Sequence, residues 1–359
     1  MKAAVCYEFA KPLTVEEVEL TPPQKGELKV RIVATAICHS DIHDIKGELG
    51  GKTPFVGGHE SAGYVEEVGT DVTSVKPGDP VVVTLLSSCG YCFYCRTGMP
   101  HLCMNRWRPD AEIHLRNKEG QPLRPMGAVG GFAEYAVVGE SQVAQVPSEM
   151  PLDSAALLSC GVITGYGAVV NRAKVRPNNS VVVVGIGGVG INGIQGAAIS
   201  GAYPIIAVDV LDNKLEAARK FGATHSVNAN QDDAVEVVRK LTSGRGADYV
   251  FIMVGGVPAI KQGFSMAGSR GMTVIVGLSP MKETITFSPM EFIASEKMLT
   301  GGFMGSTNLK VDIPRLVALY QAGRLKLDEL ITNRYPLERI NEGIESVERG
   351  EAIRNVIMF

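Results

Sequence analysis

From Ser180 to Val208 the chain runs for 29 residues without a charged side chain. That is long enough to span a bilayer. It also holds seven glycines with Asn192, Gln195 and Pro204, and its first glycines cluster as Gly185-Ile-Gly187-Gly188-Val189-Gly190. Such a cluster marks a turn, so a strand followed by a helix fits better than a membrane span. The cluster has the form G-x-G-x-x-G. Gly185 permits the tight turn, Gly187 lets the backbone approach a pyrophosphate at the helix N-terminus, and Gly190 allows close packing of helix on strand. Asp209 follows nineteen residues after Gly190. A carboxylate there accepts hydrogen bonds from ribose hydroxyls and repels a 2′-phosphate, which favours NAD over NADP. The plainer alternative is a glycine-rich turn beside an unrelated aspartate.

Around that motif strands and helices alternate. Val181–Val184, Pro204–Val210, Tyr249–Val254 and Met272–Val276 are apolar runs, as expected of parallel strands buried on both faces. Asp212–Phe221, with Asp212 as candidate N-cap and Gly222 as stop, and Gln231–Leu241 read as helices between them. Repeated units of this kind give an α/β, doubly wound parallel sheet. The first part of the chain reads as β structure: Leu28–Ile37, Tyr64–Val68, Pro80–Leu86 and Phe132–Val138 are rich in β-branched residues. Residues 104–130 are polar, punctuated by Pro and Gly and without a period, so a long surface loop is expected.

The chain has 359 residues, enough for two domains. Its net charge of −3 gives no sign of nucleic-acid or anionic-membrane binding. The opening Met1-Lys2-Ala3-Ala4-Val5-Cys6 lacks a signal-peptide core, so a cytoplasmic address is the expectation.

Four of the seven cysteines fall within fifteen residues. Cys89, Cys92, Cys95 and Cys103 have the spacing C-x2-C-x2-C-x7-C, which suits a closed tetrahedral, structural zinc shell. An iron–sulfur cluster is the competing reading, but the ferredoxin run has a shorter last gap and a proline after it. Free packed cysteines are the third reading. A second, dispersed set consists of Cys38, His59 and Cys160. One imidazole and two thiolates make an open three-ligand site that leaves a position for water or substrate. Lone buried Cys or His residues are the alternative.

Taken together, Cys38-His-Ser-Asp41, Gly58-His-Glu60, the four-cysteine lobe, Cys160-Gly-Val-Ile-Thr-Gly-Tyr-Gly167, the glycine motif and Ile353-Arg-Asn-Val-Ile-Met-Phe359 resemble the zinc-dependent alcohol dehydrogenases of the medium-chain dehydrogenase/reductase superfamily. The resemblance covers essentially the whole chain. It implies a β-rich GroES-like catalytic domain over residues 1–161 and 304–359, with a structural-zinc lobe at about 87–104, and an inserted Rossmann domain over 162–303. It implies two zinc ions per chain. The catalytic one would lie on Cys38, His59 and Cys160, with Glu60 as a transient ligand and Asp41 orienting His59. Ser40 and His43 match a proton relay. His39, Thr164, Lys214, Val254, Val276 and Arg354 match cofactor-contacting positions, joined by Gly185, Gly187, Gly188, Val189, Gly190 and Asp209. Position 39 is His where several relatives carry Arg, so its hold on a pyrophosphate would depend on pH. Leu49, Leu85, Trp107, Leu278 and Phe303 match cleft positions.

The function implied is NAD-linked oxidation of a primary alkyl or aromatic alcohol to the aldehyde, and the reverse. The zinc would stabilise an alkoxide, Ser40 would take the alcohol proton and pass it through the cofactor ribose to His43, and hydride would go to the nicotinamide. A thiol-adduct formaldehyde dehydrogenase would share these residues and differ in charges near the cleft, at Arg106 or Arg108. A non-catalytic zinc module that binds a protein is the alternative from another class. The family resemblance also implies a homodimer or homotetramer, while the near-neutral charge leaves no nucleic-acid or membrane partner expected.

Overall fold

Val181–Val184 are four consecutive valines that form a strand buried on both faces. Parallel neighbours flank it, Ile205–Asp209 on one side and Ala247–Ile252 on the other. The sheet extends to His225–Asn228 at one edge, and through Ala267–Ile275 to Met298–Gly301 at the other. In chain order the strands run 3-2-1-4-5-6, the Rossmann arrangement, so the order reverses beside Val181–Val184. β-Branched residues dominate because both faces are covered, and Val182, Val184, Ile206, Val208, Val250 and Ile252 share one core with Val238 and Ile260 of the helices. The computed structural model describes residues 1–106 and 113–359. This sheet and its helices belong to a unit spanning Val162–Thr307, while Met1–Gly161 and Asn308–Phe359 form the other. The return to the first unit comes at Asn308 rather than at 304, because Gly305 packs on Gly167 and its carbonyl accepts a hydrogen bond from Asn171 at 3.3 Å.

Two helix starts differ from expectation. Asp212 is the first helical residue and not the cap. Its carboxylate accepts instead from Asn228 at 2.7 Å. The next helix begins at Ala234, three residues later than the pattern indicated, where the Asp233 side chain takes the amides of Val235 and Glu236. The uncharged run Ser180–Val208 divides into strand, turn, helix Gly190–Ile199 and most of a second strand. A different segment, Leu152–Ala173, is the one helix among the described residues that is long and apolar enough to cross a membrane, and 83 % of its apolar window is buried within the protein.

The first unit holds two β-sheets. In one, Lys2–Cys6 pairs with Thr14–Glu17 and Phe55–Val56, and the sheet continues through Pro122–Pro125 and Leu115–Arg116 to Glu19–Leu20. In the other, the long strand Glu27–Ala36 lies between Glu60–Val68 and the C-terminal strand Arg354–Met358.

Residues 104–130 are expected to form a surface loop, and much of their described part is exposed, but Leu115–Arg116 and Pro122–Pro125 form short strands that reach the core. Leu115 and Leu123 are 3 % and 0 % exposed and sit in the same core as Phe132 and Ile357. These strands are only two and four residues long, too short to show an alternating pattern. Leu123→Ala is expected to cost about 2–5 kcal/mol, the usual range for emptying a buried leucine site. Calorimetry of the variant should show a lowered unfolding transition; an unchanged one would place Leu123 outside the core.

Candidate functional site

Strand register assembles the first site. At one end of the sheet that holds Glu27–Ala36, Ala36 pairs with Glu60 on one side and Val356 on the other, and Glu60 pairs with Thr84. Cys38 lies two residues beyond Ala36, His59 one before Glu60, and Arg354 two before Val356. Three segments remote in sequence thus deliver side chains to one place. The fourth segment, the π-helical turn Leu158–Val162, carries Cys160. It is tied down by Thr84, whose buried hydroxyl donates to the Ser159 carbonyl at 2.6 Å. A ligand atom from each of Cys38, His59, Glu60 and Cys160 lies within 4.8 Å of the others, and all four residues are buried.

Asp41 organises this cluster. It is fully buried. One carboxylate oxygen accepts the Gly58 amide and bonds His59 Nδ1, both at 3.0 Å, while the other accepts the Cys38 amide at 2.9 Å. With Nδ1 engaged, His59 presents Nε2 to the thiols. Gly58 has φ +86°, and a Cβ there would meet the Phe132 amide nitrogen at 2.6 Å, so the turn before His59 depends on glycine. Glu60 accepts the Gly161 amide at 3.0 Å and is ion-paired with Arg354, which is 4 % exposed. Arg354, expected at the cofactor, here faces Glu60.

The electrostatics favour charged donors. A hydrogen bond from Cys160, joined by the His59 imidazole, holds the Cys38 thiol well below its ordinary range against the opposing effect of burial. Burial also opposes charge on His59, yet the carboxylate of Asp41 and the sulfur of Cys38 push it up to about 10. Two sulfurs and an imidazole converging in a buried site suit zinc, and three such ligands are the open, catalytic kind of site.

Cys89, Cys92, Cys95 and Cys103 form a second cluster with the same 4.8 Å limit. Cys92 Sγ lies 3.5 Å from Cys95 Sγ and 3.9 Å from Cys103 Sγ. Four thiolates around one zinc at Zn–S about 2.3 Å would stand about 3.8 Å apart, so the spacing fits a tetrahedral shell. The Cys89 and Asn105 amides donate to Cys103 Sγ at 3.3 and 3.4 Å. Hydrogen bonds from its surroundings lower Cys92 to about 6, while burial and neighbouring thiols raise Cys95 to about 12. Such crowding is relieved when an ion takes the place of the protons.

The glycine motif lies in the other unit. Gly185 has φ +85° and leaves Val181–Val184 at the point where strand order reverses. A Cβ at Gly190 would come within 1.9 Å of the Gly185 carbonyl oxygen, whereas one at Gly187 would meet nothing within 4 Å. The turn is therefore closed on its helix side and open at Gly187 and the start of Gly190–Ile199, where a phosphate can approach backbone amides. Asp209 accepts the amides of Ile186, Val210 and Leu211 at 2.6, 2.7 and 3.0 Å. A carboxylate has about four acceptor positions, so one remains for a ribose hydroxyl. Lys214 is buried nearby, and burial lowers its pKa against the pull of Asp209.

The remaining expected residues divide. Ser40 Oγ donates to Cys38 Sγ at 3.1 Å and lies 3.2 Å from His59 Nε2. His39 is exposed and His43 half-buried on the helix His39–Ile45. In the Rossmann unit, Thr164 donates to Met304 Sδ at 3.6 Å, Val254 lies against Gly185, and Val276 is half-buried. Of the cleft set, Leu85 borders Gly127 next to His59, Leu49 is half-buried, and Leu278 and Phe303 are exposed. Trp107 and Arg108 lie outside the described residues. Thr84, which anchors the Cys160 segment, gave no signal in the sequence, since its role depends on register.

Two family descriptions match the chain: "Alcohol dehydrogenase GroES-like domain" over residues 24–148 and "Zinc-binding dehydrogenase" over 188–322. A relative named NDMA-dependent alcohol dehydrogenase, from Amycolatopsis methanolica, is 42 % identical, with 99 % of this chain and 98 % of that protein covered. A solved alcohol dehydrogenase zinc-binding domain protein from Burkholderia ambifaria superposes with TM-score 0.95 at 34 % identity, over 100 % of this chain and 98 % of that one. Benzyl alcohol dehydrogenase from Acinetobacter calcoaceticus gives TM-score 0.93 at 31 % identity, over 100 % and 99 %. With both domain descriptions matched and the likeness running end to end, this chain belongs to the zinc-type alcohol dehydrogenases of the medium-chain dehydrogenase/reductase superfamily.

Proposed function

We propose that this protein oxidises primary alcohols, alkyl or aromatic, to aldehydes and catalyses the reverse reduction, using NAD and a zinc ion held by Cys38, His59 and Cys160. The observation that carries the reading is the convergence of those ligand atoms, with Glu60, within 4.8 Å in a buried site. Zinc bound there would supply Lewis-acid polarisation of the alcohol or carbonyl oxygen. The chain's own residues do the rest. Asp41 fixes the ring of His59 and the backbone at Cys38 and Gly58. Ser40 Oγ, beside Cys38 and His59, would accept the alcohol proton while giving up its own hydroxyl proton, and His43 would receive the relayed proton and release it to solvent. Glu60 is held back by Gly161 and Arg354, poised as an additional ligand. The cysteine lobe would hold a second, structural zinc. Gly187 and the helix behind it would take the pyrophosphate and Asp209 the ribose, with Lys214 at its side. The benzyl alcohol for which the Acinetobacter relative is named supports an aromatic alcohol among the substrates.

The test is turnover of benzyl alcohol and of short alkyl alcohols with NAD, NADP or NDMA as acceptor, the last because a relative is named for it. Dialysed protein is also examined for cofactor carried through purification. The reading expects aldehyde formation that uses added or carried NAD, no use of NADP, and Asp209→Ala to weaken NAD binding at least about tenfold, an effect of about 1.4 kcal/mol. Equal use of NAD and NADP, or NDMA turnover by protein free of NAD, would overturn the cofactor assignment.

A further inference from the structure

The helix His39–Ile45 ends at Lys46, and Gly47 follows with φ +76°. The Gly47 amide donates to the Asp44 carbonyl and the Glu48 amide to the His43 carbonyl, both at 2.9 Å. This pair of bonds is the Schellman ending, and it forces the second residue past the cap against the third residue before it. Those two positions usually seal the turn with an apolar contact. Here they are Glu48 and His43, and the Glu48 carboxylate meets His43 Nδ1 in a short hydrogen bond. The turn does not need an ion pair. The alcohol reaction does need a defined proton acceptor.

A carboxylate can only accept, so this contact puts the proton of neutral His43 on Nδ1 and leaves the lone pair on Nε2. We infer that Glu48 is a positioning residue for alcohol oxidation: it fixes His43 in the tautomer whose Nε2 receives the proton released by the substrate. The inference rests on the proton-release role given to His43 above. The proton adds to Nε2, the imidazolium pairs with Glu48 through Nδ1–H, and the proton then leaves Nε2 for water. Glu48 remains a carboxylate throughout. The other charged groups around the pair are His39 one turn back, Asp44, and Lys46, which is tied to Glu348 at 2.7 Å. None of them is bonded to His43 Nδ1 in the hydrogen bonds of the described residues.

The experiment uses the holoenzyme labelled with 15N-histidine, in wild type, Glu48→Gln, Glu48→Ala and His43→Gln. Long-range 15N–1H spectra at alkaline pH report the His43 tautomer, and steady-state kinetics report kcat and KM for alcohol. Wild type and Glu48→Gln, which keeps an acceptor oxygen, are expected to hold Nδ1–H. Glu48→Ala should shift His43 mainly to Nε2–H and lower kcat about tenfold with KM nearly constant, as loss of an orienting partner does. An unmoved tautomer in Glu48→Ala, an equal change in Glu48→Gln, or an undiminished kcat in Glu48→Ala would overturn the inference. An unchanged kcat in His43→Gln removes the proton-release reading and this inference with it. A lowered kcat there beside an unmoved Glu48→Ala tautomer removes this inference alone.

Discussion

Cys160→Ala is expected to lower kcat/KM for alcohol oxidation by about four orders of magnitude. A metal acting as Lewis acid supplies several kcal/mol of transition-state stabilisation, and each 1.36 kcal/mol is a factor of about ten in rate. Cys160 is one of only two thiols in the cluster, and its hydrogen bond is the leading cause of the depressed pKa at Cys38. Its removal therefore costs a ligand and weakens its neighbour. The fold has little reason to respond. Thr84 still holds the Ser159 carbonyl and Glu60 still takes the Gly161 amide. Zinc analysis should show one ion fewer per chain, with an unchanged far-ultraviolet circular dichroism spectrum. A variant that keeps its zinc content and loses less than about tenfold in kcat/KM would contradict the three-ligand centre.

Cys103→Ala is expected to do the opposite, sparing the chemistry more than the fold. The segment around Cys89–Cys103 has almost no apolar core of its own: Tyr91, Phe93 and Met104 are 63 %, 66 % and 70 % exposed. Cys103 is the fully buried member of the four and accepts two backbone amides. Structural zinc contributes about 10–16 kcal/mol of apparent binding energy in isolated small domains, and with three ligands most of that is lost. The lobe should open and become a substrate for chymotrypsin at Tyr91, Phe93 and Tyr94. A net loss of about 4 kcal/mol would lower Tm by roughly 10 °C. Protease resistance equal to wild type would mean that packing, not an ion, holds the lobe.

Much of this molecule can be read from the chain. The valine run, the glycine turn and Asp209 mark the start of the parallel sheet because each has a local physical demand: two buried faces, a positive φ, a close backbone approach. The cysteine spacing of the lobe is equally local. The cluster of Cys38, His59 and Cys160 is different. These residues have no spacing that joins them, so as a set they stand out only weakly until the family resemblance is added. What joins them is the register of Ala36 with Glu60 and of Glu60 with Thr84, a property of pairing that no single segment carries. Residues 113–130 were misread for a related reason. Strands of two and four residues bury Leu115 and Leu123 without any periodic pattern around them. Arg354 is visible as part of the C-terminal motif, but its turn towards Glu60 depends on a partner more than 290 positions away in the chain.

The account stands on a single ion shared by Cys38, His59 and Cys160. Anomalous diffraction from crystals of the purified protein, recorded on both sides of the zinc edge, tests it directly. Two peaks per chain are expected: one among the four lobe sulfurs, the other at about 2.3 Å from Cys38 and Cys160 Sγ and about 2.0 Å from His59 Nε2. A lone peak in the lobe, with nothing above noise between Cys38 and Cys160 in protein active on alcohol, would contradict it.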